Sequence, residues 1–404
     1  MINLPEITTK KVATKLTTRA EILVKKGHPW VFDQSIAKDI VDGKSGDLAI
    51  IFDNRKNKFL AVGFYDPYSP IRIKILQANK PANINAAWFK EKIKIAYDKR
   101  KPLLKTDTNS YRLIYGENDH LPSFVADVYA DVLVVKLYAQ FWFPYLHEIL
   151  PELLKISNTK TLILRLSRNV QKEGNEHGLS DGQVLHGTLA NEVVVFKEHG
   201  VLFSANVIKG HKTGYFLDHR NNRKMVGKMA NNKTVLDVFS YAGGFSVHAL
   251  SGGAREVTSL DISAQALEIA KQNAQLNNFK GEHNIIVGDA FDEMDQLAFN
   301  DIEYDIVVID PPSFAKSAAE IDRAIKSYTK LALLGLKLVK RGGTLVLASC
   351  SSRVTADVFF ELMEETISKT NTSYQVLKTT QHDIDHPISF KEGAYLKTIY
   401  LKIN

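Results

Sequence analysis

The stretch from Thr234 to Leu250, Thr-Val-Leu-Asp-Val-Phe-Ser-Tyr-Ala-Gly-Gly-Phe-Ser-Val-His-Ala-Leu, constrains this chain more than any other. An apolar run, Val235 to Phe239, ends at Ser240 in a turn of small residues. It then passes into a helical pattern through Phe245, Ala249 and Leu250. Strand, glycine turn and helix are what a nucleotide-like ligand needs. Gly243 and Gly244 let the backbone come close, and the helix starts at the carboxyl edge of the sheet. The next strand, Glu256 to Leu260, ends in Asp261, 18 residues beyond Gly243. That is close to the roughly 20-residue separation at which an acid reaches ribose hydroxyls. With the middle glycine of a G-x-G-x-x-G fingerprint laid on Gly244, its outer positions fall on Ala242 and Val247. A nucleoside cofactor without phosphates is therefore favoured over a pyrophosphate-bearing dinucleotide.

From this stretch onward, strands and helices alternate. Strands are expected at 235–239, 256–260, 284–287, 305–309 and 344–348, and helices at 244–251, 263–277, 319–340 and 354–368. Such alternation predicts an α/β domain with a doubly wound, Rossmann-like sheet. The chain before it reads differently. Residues 1–77 hold short β-like runs, Ala20 to Val24, Leu48 to Phe52, Phe59 to Phe64 and Ile71 to Leu76, separated by turn signals, which predicts a small β-barrel. Trp30 and Phe32 could stack on bases, but the reading preferred for them is core residues of that barrel. Residues 78–190 combine amphipathic helices at 85–101 and 141–154 with strands at 111–115, 125–139 and 161–166, and end near a polar loop at 171–187. This predicts a small α+β domain. The expected domains are thus 1–77, 78–190 and 191–404.

Charge follows the same division. Residues 1–110 carry 21 Lys and Arg against 11 Asp and Glu, whereas the rest carry 31 against 34. A basic front on a near-neutral body fits a polyanion-binding module joined to a catalytic one, although a solvated Lys-rich surface would look the same. One cysteine in 404 residues excludes an intramolecular disulfide and a cysteine zinc site, and no metal is expected. The opening Met-Ile-Asn-Leu-Pro-Glu is no secretory signal, and Lys136 interrupts the best candidate for a membrane span. A cytoplasmic protein without a membrane partner is expected.

Ligands of doubly wound sheets bind outside the carboxyl ends of the strands. Those ends carry Asp237 and Tyr241, Asp261, Asp289, Asp310 and Cys350. Each alone is weak, since an Asp after a strand is often a helix cap; the set on one edge is much stronger. Asp310-Pro-Pro-Ser-Phe314 is the most specific local signal. Pro311 and Pro312 remove two N–H donors and stiffen the chain, leaving carbonyls and the Asp310 carboxylate as acceptors for a base, on which Phe314 can stack. Cys350 lies between Ser349 and Ser351 on the same edge, ahead of a helix. A helix start and nearby cations would favour its thiolate, and hence a nucleophile over an inert small hydrophobe.

These residues carry a resemblance. Lys212-Thr-Gly-Tyr-Phe-Leu-Asp-His-Arg220, Val238-Phe-Ser-Tyr-Ala-Gly-Gly-Phe-Ser246, Asp310-Pro-Pro-Ser-Phe314, Ser349-Cys-Ser351 and Asp385-His-Pro387 resemble the large-subunit ribosomal RNA cytosine-C5 methyltransferases of the RlmI type. Gly27-His-Pro-Trp-Val-Phe32 resembles the start of that family's PUA RNA-binding domain, and residues 113–129 its central domain. The resemblance implies S-adenosylmethionine as cofactor and large-subunit rRNA as partner; the oligomeric state is left between monomer and homodimer. It places Asp237, Phe239, Ser240, Tyr241, Ala242, Gly243 and Gly244 around the methionine part of the cofactor, and Asp261 with Ile262 on the ribose. Asp289 with Ala290 falls near the adenine, and Phe216, Asp218 and Arg220 close the site. Cys350 is then the nucleophile and Asp310 the acid that contacts the base and borders the cofactor, with Pro311, Pro312 and Phe314 holding the substrate. The loop Gly116-Glu-Asn-Asp-His-Leu-Pro-Ser-Phe124 departs from relatives, which commonly have glycines where this chain has Asp119, His120 and Ser123.

The need for a cysteine is chemical. Cytosine C5 is a poor nucleophile until a thiolate adds to C6. The base that later removes the C5 proton is not identifiable in the sequence. An exocyclic-amine methyltransferase would need Asp310-Pro-Pro-Ser-Phe314 but not Cys350. An RNA-binding protein with a vestigial cofactor fold would not need Gly243, Gly244, Asp261 and Asp310. A dehydrogenase is disfavoured by the missing glycines.

Overall fold

The computed structural model describes residues 4–38, 40 and 42–404, so Met1 to Asn3 of the opening segment lie outside it. The chain forms two compact units. One comprises the chain up to Phe196 with Ser204–Leu217 and Ile384–Phe390; the other comprises Lys197–Phe203, Asp218–Asp383 and Lys391–Asn404.

The first unit holds two sheets. A mixed six-stranded sheet runs in the order Trp30–Val31, Ile73–Ala78, Phe59–Tyr65, Leu48–Phe52, Lys11–Leu16 and Ile36–Lys38. The run from Ala20 to Val24 is not a strand but part of a helix, Thr18–Lys25, capped by the Thr17 side chain. The reason is spacing: Ala20 and Val24, four apart, are buried, whereas the intervening Ile22 and Leu23 are exposed. Trp30 is half-buried, with its indole N–H on Glu117 at 3.1 Å, and Phe32 is exposed, so that ring is not core. The five-stranded sheet runs Gln183–His186, Thr161–Leu166, Val132–Leu137, Phe124–Tyr129 and Ser110–Tyr115, with helices Ala86–Leu104 and Leu146–Ser157. The polar stretch at 171–187 contains the end of a helix, Arg168–Glu176, and the edge strand of this sheet.

The expected boundary at 77 falls inside a shared core. Phe64 of the first sheet lies 4.9 Å from Phe141 and 4.8 Å from Trp142, between ring centroids. In the loop at 116–124, His120 and Ser123 adopt φ of +62° and +59°, the left-handed region where glycine is easiest. Asp119 there is buried against fully buried Arg100 through two hydrogen bonds of 2.9 and 2.5 Å.

The second unit is the doubly wound domain. Helix α1 (Arg220–Met229) leads into β1 (Thr234–Val238), α2 (Gly244–Ser251), β2 (Glu256–Asp261), α3 (Ala264–Gln275), β3 (Glu282–Val287), α4 (Ala290–Phe299), β4 (Tyr304–Ile309), α5 (Ile321–Leu338), β5 (Val339–Ser349), α6 (Ala356–Ser368), β6 (Tyr374–Thr380) and β7 (Lys397–Ile403). The strand order is β3-β2-β1-β4-β5-β7-β6. The first five strands are parallel; β7 runs antiparallel to β5 and β6 antiparallel to β7. Leu236, Leu260, Val307, Leu345 and Ile399 fill its core. The order reverses between β1 and β4, which opens a crevice at their carboxyl ends. Sequence reading missed α4 and the β6–β7 pair. The signal for α4 was present in Asp289, a cap, and Asp292 and Glu293 in the first turn.

Candidate active site

The turn after β1 is held in an unusual shape. Phe239 and Tyr241 take φ of +62° and +48°, which bulky side chains rarely adopt. Three hydrogen bonds from backbone N–H groups impose it: Ser240 N–H to Leu260 O (3.1 Å), Gly243 N–H to Ser240 O (2.8 Å) and Tyr241 N–H to the side-chain Oδ2 of Asp261 (2.9 Å). Gly243, at φ +74°, must be glycine, because a Cβ there would sit 2.7 Å from that of Ala270. Asn273 of α3 secures the turn by donating to Ala242 O at 2.9 Å, and Ala242 is buried. Strain fixed so thoroughly is characteristic of a ligand-binding turn.

Asp237 stands beneath it, buried. Its Oδ2 accepts the backbone N–H and the hydroxyl of Ser246. Its Oδ1 has no partner among the described residues, and neither has the buried Ser240 hydroxyl. Burial pushes the Asp237 carboxyl up to about 7, against the Ser246 hydrogen bonds. The Ser246 hydroxyl continues to that of Ser259 (2.6 Å) and on to His283 Nε2 (2.8 Å). Asp261 spends one hydrogen bond on each oxygen, from Tyr241 N–H and Ser263 N–H, which leaves acceptor capacity on both. Beside it Ile262 is 72% exposed, an apolar side chain at the ligand edge that burial under a ligand would explain. Asp289 does cap α4, with Oδ1 accepting from Phe291 and Asp292, and Ala290 is buried.

On the other side of β1, the Asp310 N–H binds Val238 O at 3.3 Å, so the acid follows the end of β1 closely. His219 Nε2 lies 3.2 Å from Asp310 Oδ1. The Cys350 thiol, half-buried at the end of β5, lies 3.7 Å from Pro311 O. Cys350 and the Asp310-Pro-Pro turn thus meet at the ends of neighbouring strands. Pro311 is buried and Pro312 exposed. Phe314 is half-buried and packs edge-on against Tyr328 at 5.2 Å between ring centroids.

Two sequence expectations require correction. The helix expected ahead of Cys350 is present as α6, from Ala356, but it does not make the cysteine a thiolate. Burial pushes its thiol up to about 12, with Asp310 and Asp218 acting in the same direction. Lys397 opposes them, but it is buried itself and pushed down to about 8. Its ammonium is committed to the carbonyls of Ser351, Val354 and Tyr395. The resting cysteine is a thiol, not a thiolate. Arg220, expected at the cofactor, is instead fully buried and paired with Asp383 at 3.2 Å, with Glu198 3.9 Å away. A buried guanidinium needs such partners, so Arg220 anchors its segment. Asp218 is half-buried and accepts from the Tyr395 hydroxyl at 2.7 Å. Phe216 belongs to the first unit and is 39% exposed. His219, Asn273 and Lys397 were missed; only His219, inside the Lys212–Arg220 motif, had a sequence signal.

The S-adenosylmethionine-dependent methyltransferase family matches residues 119–398, and a PUA-like domain matches residues 15–78. A ribosomal RNA large subunit methyltransferase of Deinococcus radiodurans is 39% identical over 99% of both chains. The chain belongs to the large-subunit ribosomal RNA methyltransferase family of S-adenosylmethionine-dependent enzymes. The ribosomal RNA large subunit methyltransferase I of Aeromonas salmonicida is 32% identical to this methyltransferase over 93% of this chain and 95% of its own. In fold, the methyltransferase matches a Streptococcus mutans protein described as SAM-dependent, with a TM-score of 0.81, 23% identity and 97% of this chain covered.

The site of the methyltransferase fits S-adenosylmethionine. The cofactor is cationic and carries a ribose diol and a flat apolar adenine. Asp237 offers an unpartnered buried acceptor near neutral pH, Asp261 offers free acceptor capacity, and Ile262 offers an exposed apolar surface. Among the described residues, no cluster of His, Cys, Asp and Glu suits a metal ion, and no helix is long and apolar enough to cross a membrane.

Proposed function

We propose that the protein forms 5-methylcytosine in large-subunit rRNA, in the cytoplasm, with Cys350 as nucleophile and Asp310 as the acid facing the pyrimidine. One observation carries the reading: the only cysteine of the chain lies 3.7 Å from the carbonyl of the residue after Asp310, on the ligand edge of the sheet. Transfer to an exocyclic amine needs no thiol there. Asp237, Asp261 and Asp289 hold the cofactor, with Asp218 as a further contact, and the bound cofactor supplies an electrophilic methyl group.

The chain's residues do the rest. The Cys350 thiol gives its proton to Asp310 and Sγ bonds to C6, while the protonated Asp310 carboxyl donates that proton to N3, where the displaced electron pair arrives. C5 thereby becomes nucleophilic. After transfer, the C5 proton leaves to a base, the C5–C6 double bond re-forms and the Sγ–C6 bond breaks. The raised thiol pKa supports a protected nucleophile that is discharged only when a base fills the site. The target must leave its stack to enter, which costs a few kcal/mol unless it is unpaired.

An rRNA fragment with 5-fluorocytosine at the target tests the reading, because fluorine at C5 blocks elimination and preserves the adduct. A denaturation-resistant protein–RNA band that requires S-adenosylmethionine and disappears in Cys350→Ala is expected. Methylation of ordinary RNA with no trapping on the fluorinated one would shift the reading to amine methylation.

A further inference from the structure

His219 is the buried ring at this site to which the scheme above gives no task. Its Nε2 lies 3.2 Å from Asp310 Oδ1, yet it has no well-aligned hydrogen-bond partner among the described residues. The opposite side of the ring is firmly placed. Nδ1 is 3.1 Å from Nδ2 of Asn222, and that amide nitrogen also donates to Thr398 Oγ1 at 3.0 Å. The Asn222 Oδ1 accepts from the Thr380 hydroxyl (2.7 Å) and the Tyr400 hydroxyl (3.0 Å). Two hydroxyl donors on Oδ1 turn the NH2 group toward the ring, so Nδ1 accepts and the ring proton resides on Nε2, facing Asp310. Phe245 packs edge-on at 5.5 Å and holds the ring plane.

We propose that His219 is a positioning residue for Asp310: its Nε2–H holds Oδ1, so that Oδ2 alone is presented to the substrate pyrimidine. The inference rests on the reading of Asp310 as the acid facing the base. A buried N–H without an aligned acceptor destabilises the resting fold. Catalytic hydrogen bonds that are poorly aligned without substrate commonly tighten in the complex, which accounts for its retention. Burial disfavours a charged His219, but the charge and hydrogen bond of Asp310 outweigh it and raise the imidazole pKa; Asp218 acts with Asp310 and Arg223 against it. The contact with Asp310 is therefore attractive in either charge state.

The test compares His219→Leu, which deletes the donor, with His219→Gln, which can present an amide N–H to the same oxygen. Leu should lower kcat on an rRNA fragment roughly 100- to 1,000-fold, the scale for one missing preorganised donor. The RNA KM and the S-adenosylmethionine affinity by calorimetry should barely move, and Gln should recover most of the rate. A wild-type rate in Leu, or equal losses in Leu and Gln, overturns the proposal. Should Leu not fold, imidazole nitrogen NMR of the wild type decides: protonation at Nε2 supports the assignment, and a neutral ring protonated at Nδ1 overturns it. Wild-type trapping on 5-fluorocytosine RNA is scored in parallel. Its failure refutes cytosine chemistry, while the Leu–Gln comparison on the methylation that remains judges His219 separately.

Discussion

Ser246 grips one oxygen of Asp237 with both its backbone N–H and its hydroxyl, at 3.0 and 2.7 Å, and leaves the other oxygen buried and bare. An acceptor of this kind is costly until a cationic ligand arrives. Because burial raises the folded-state pKa from 3.8 to about 7, the folded protein keeps a proton that the unfolded chain loses across that window. The cofactor-free protein should therefore lose stability as pH rises from about 4 to 7. Asp237→Asn should raise its Tm at about pH 8 and weaken S-adenosylmethionine binding. Thermal scans and calorimetry check both, and a lower Tm in the variant would contradict the account.

The same reasoning applies to Cys350 with the opposite consequence. Burial and the neighbouring carboxylates hold the proton on sulfur, so Asp310→Asn should lower the thiol pKa and speed alkylation by iodoacetamide. With one cysteine in the chain, intact-mass spectrometry reads the rate directly. Slower or unchanged alkylation would mean that Asp310 does not govern the thiol.

RNA affinity should depend on the exposed tip formed by Arg55, Lys56 and Lys58. Asp53 holds this turn through the backbone N–H groups of Lys56 and Lys58, so replacing the three side chains with Ala leaves the turn intact. Removing each charge that neutralises a phosphate should flatten the log–log salt dependence by about 0.7–0.9. Filter binding across a salt series measures it, and an unchanged slope would assign these charges to a merely solvated surface.

In the first unit, Asp119→Ala should cost about 3–5 kcal/mol, because it strands the fully buried Arg100 without its bidentate partner. Denaturant unfolding gives the value. A loss below about 1 kcal/mol, the range of exposed pairs, would show that water reaches the guanidinium.

The sequence by itself determined the doubly wound domain, its ligand edge and the residues on it. Those features are local: short apolar runs such as Ile306 to Ile309, bounded by turn signals and alternating with helices, read as buried strands, and Asp237, Asp261, Asp310 and Cys350 lie at or near their carboxyl ends. Tertiary structure decided what periodicity could not express. Ala20 to Val24 reads as a strand, and only packing, which buries Ala20 and Val24 and exposes Ile22 and Leu23, shows it to be helix. The state of Cys350 was illegible because pKa depends on burial and on charges brought from distant positions, Asp218, Asp310 and Lys397. Arg220 looked like a ligand contact until Asp383, 163 residues later, claimed it. His219 takes its orientation from Asn222, itself fixed by Thr380, Thr398 and Tyr400. Strand ends are written in neighbouring residues, whereas charge state and side-chain direction are set by partners that only folding brings within hydrogen-bonding distance.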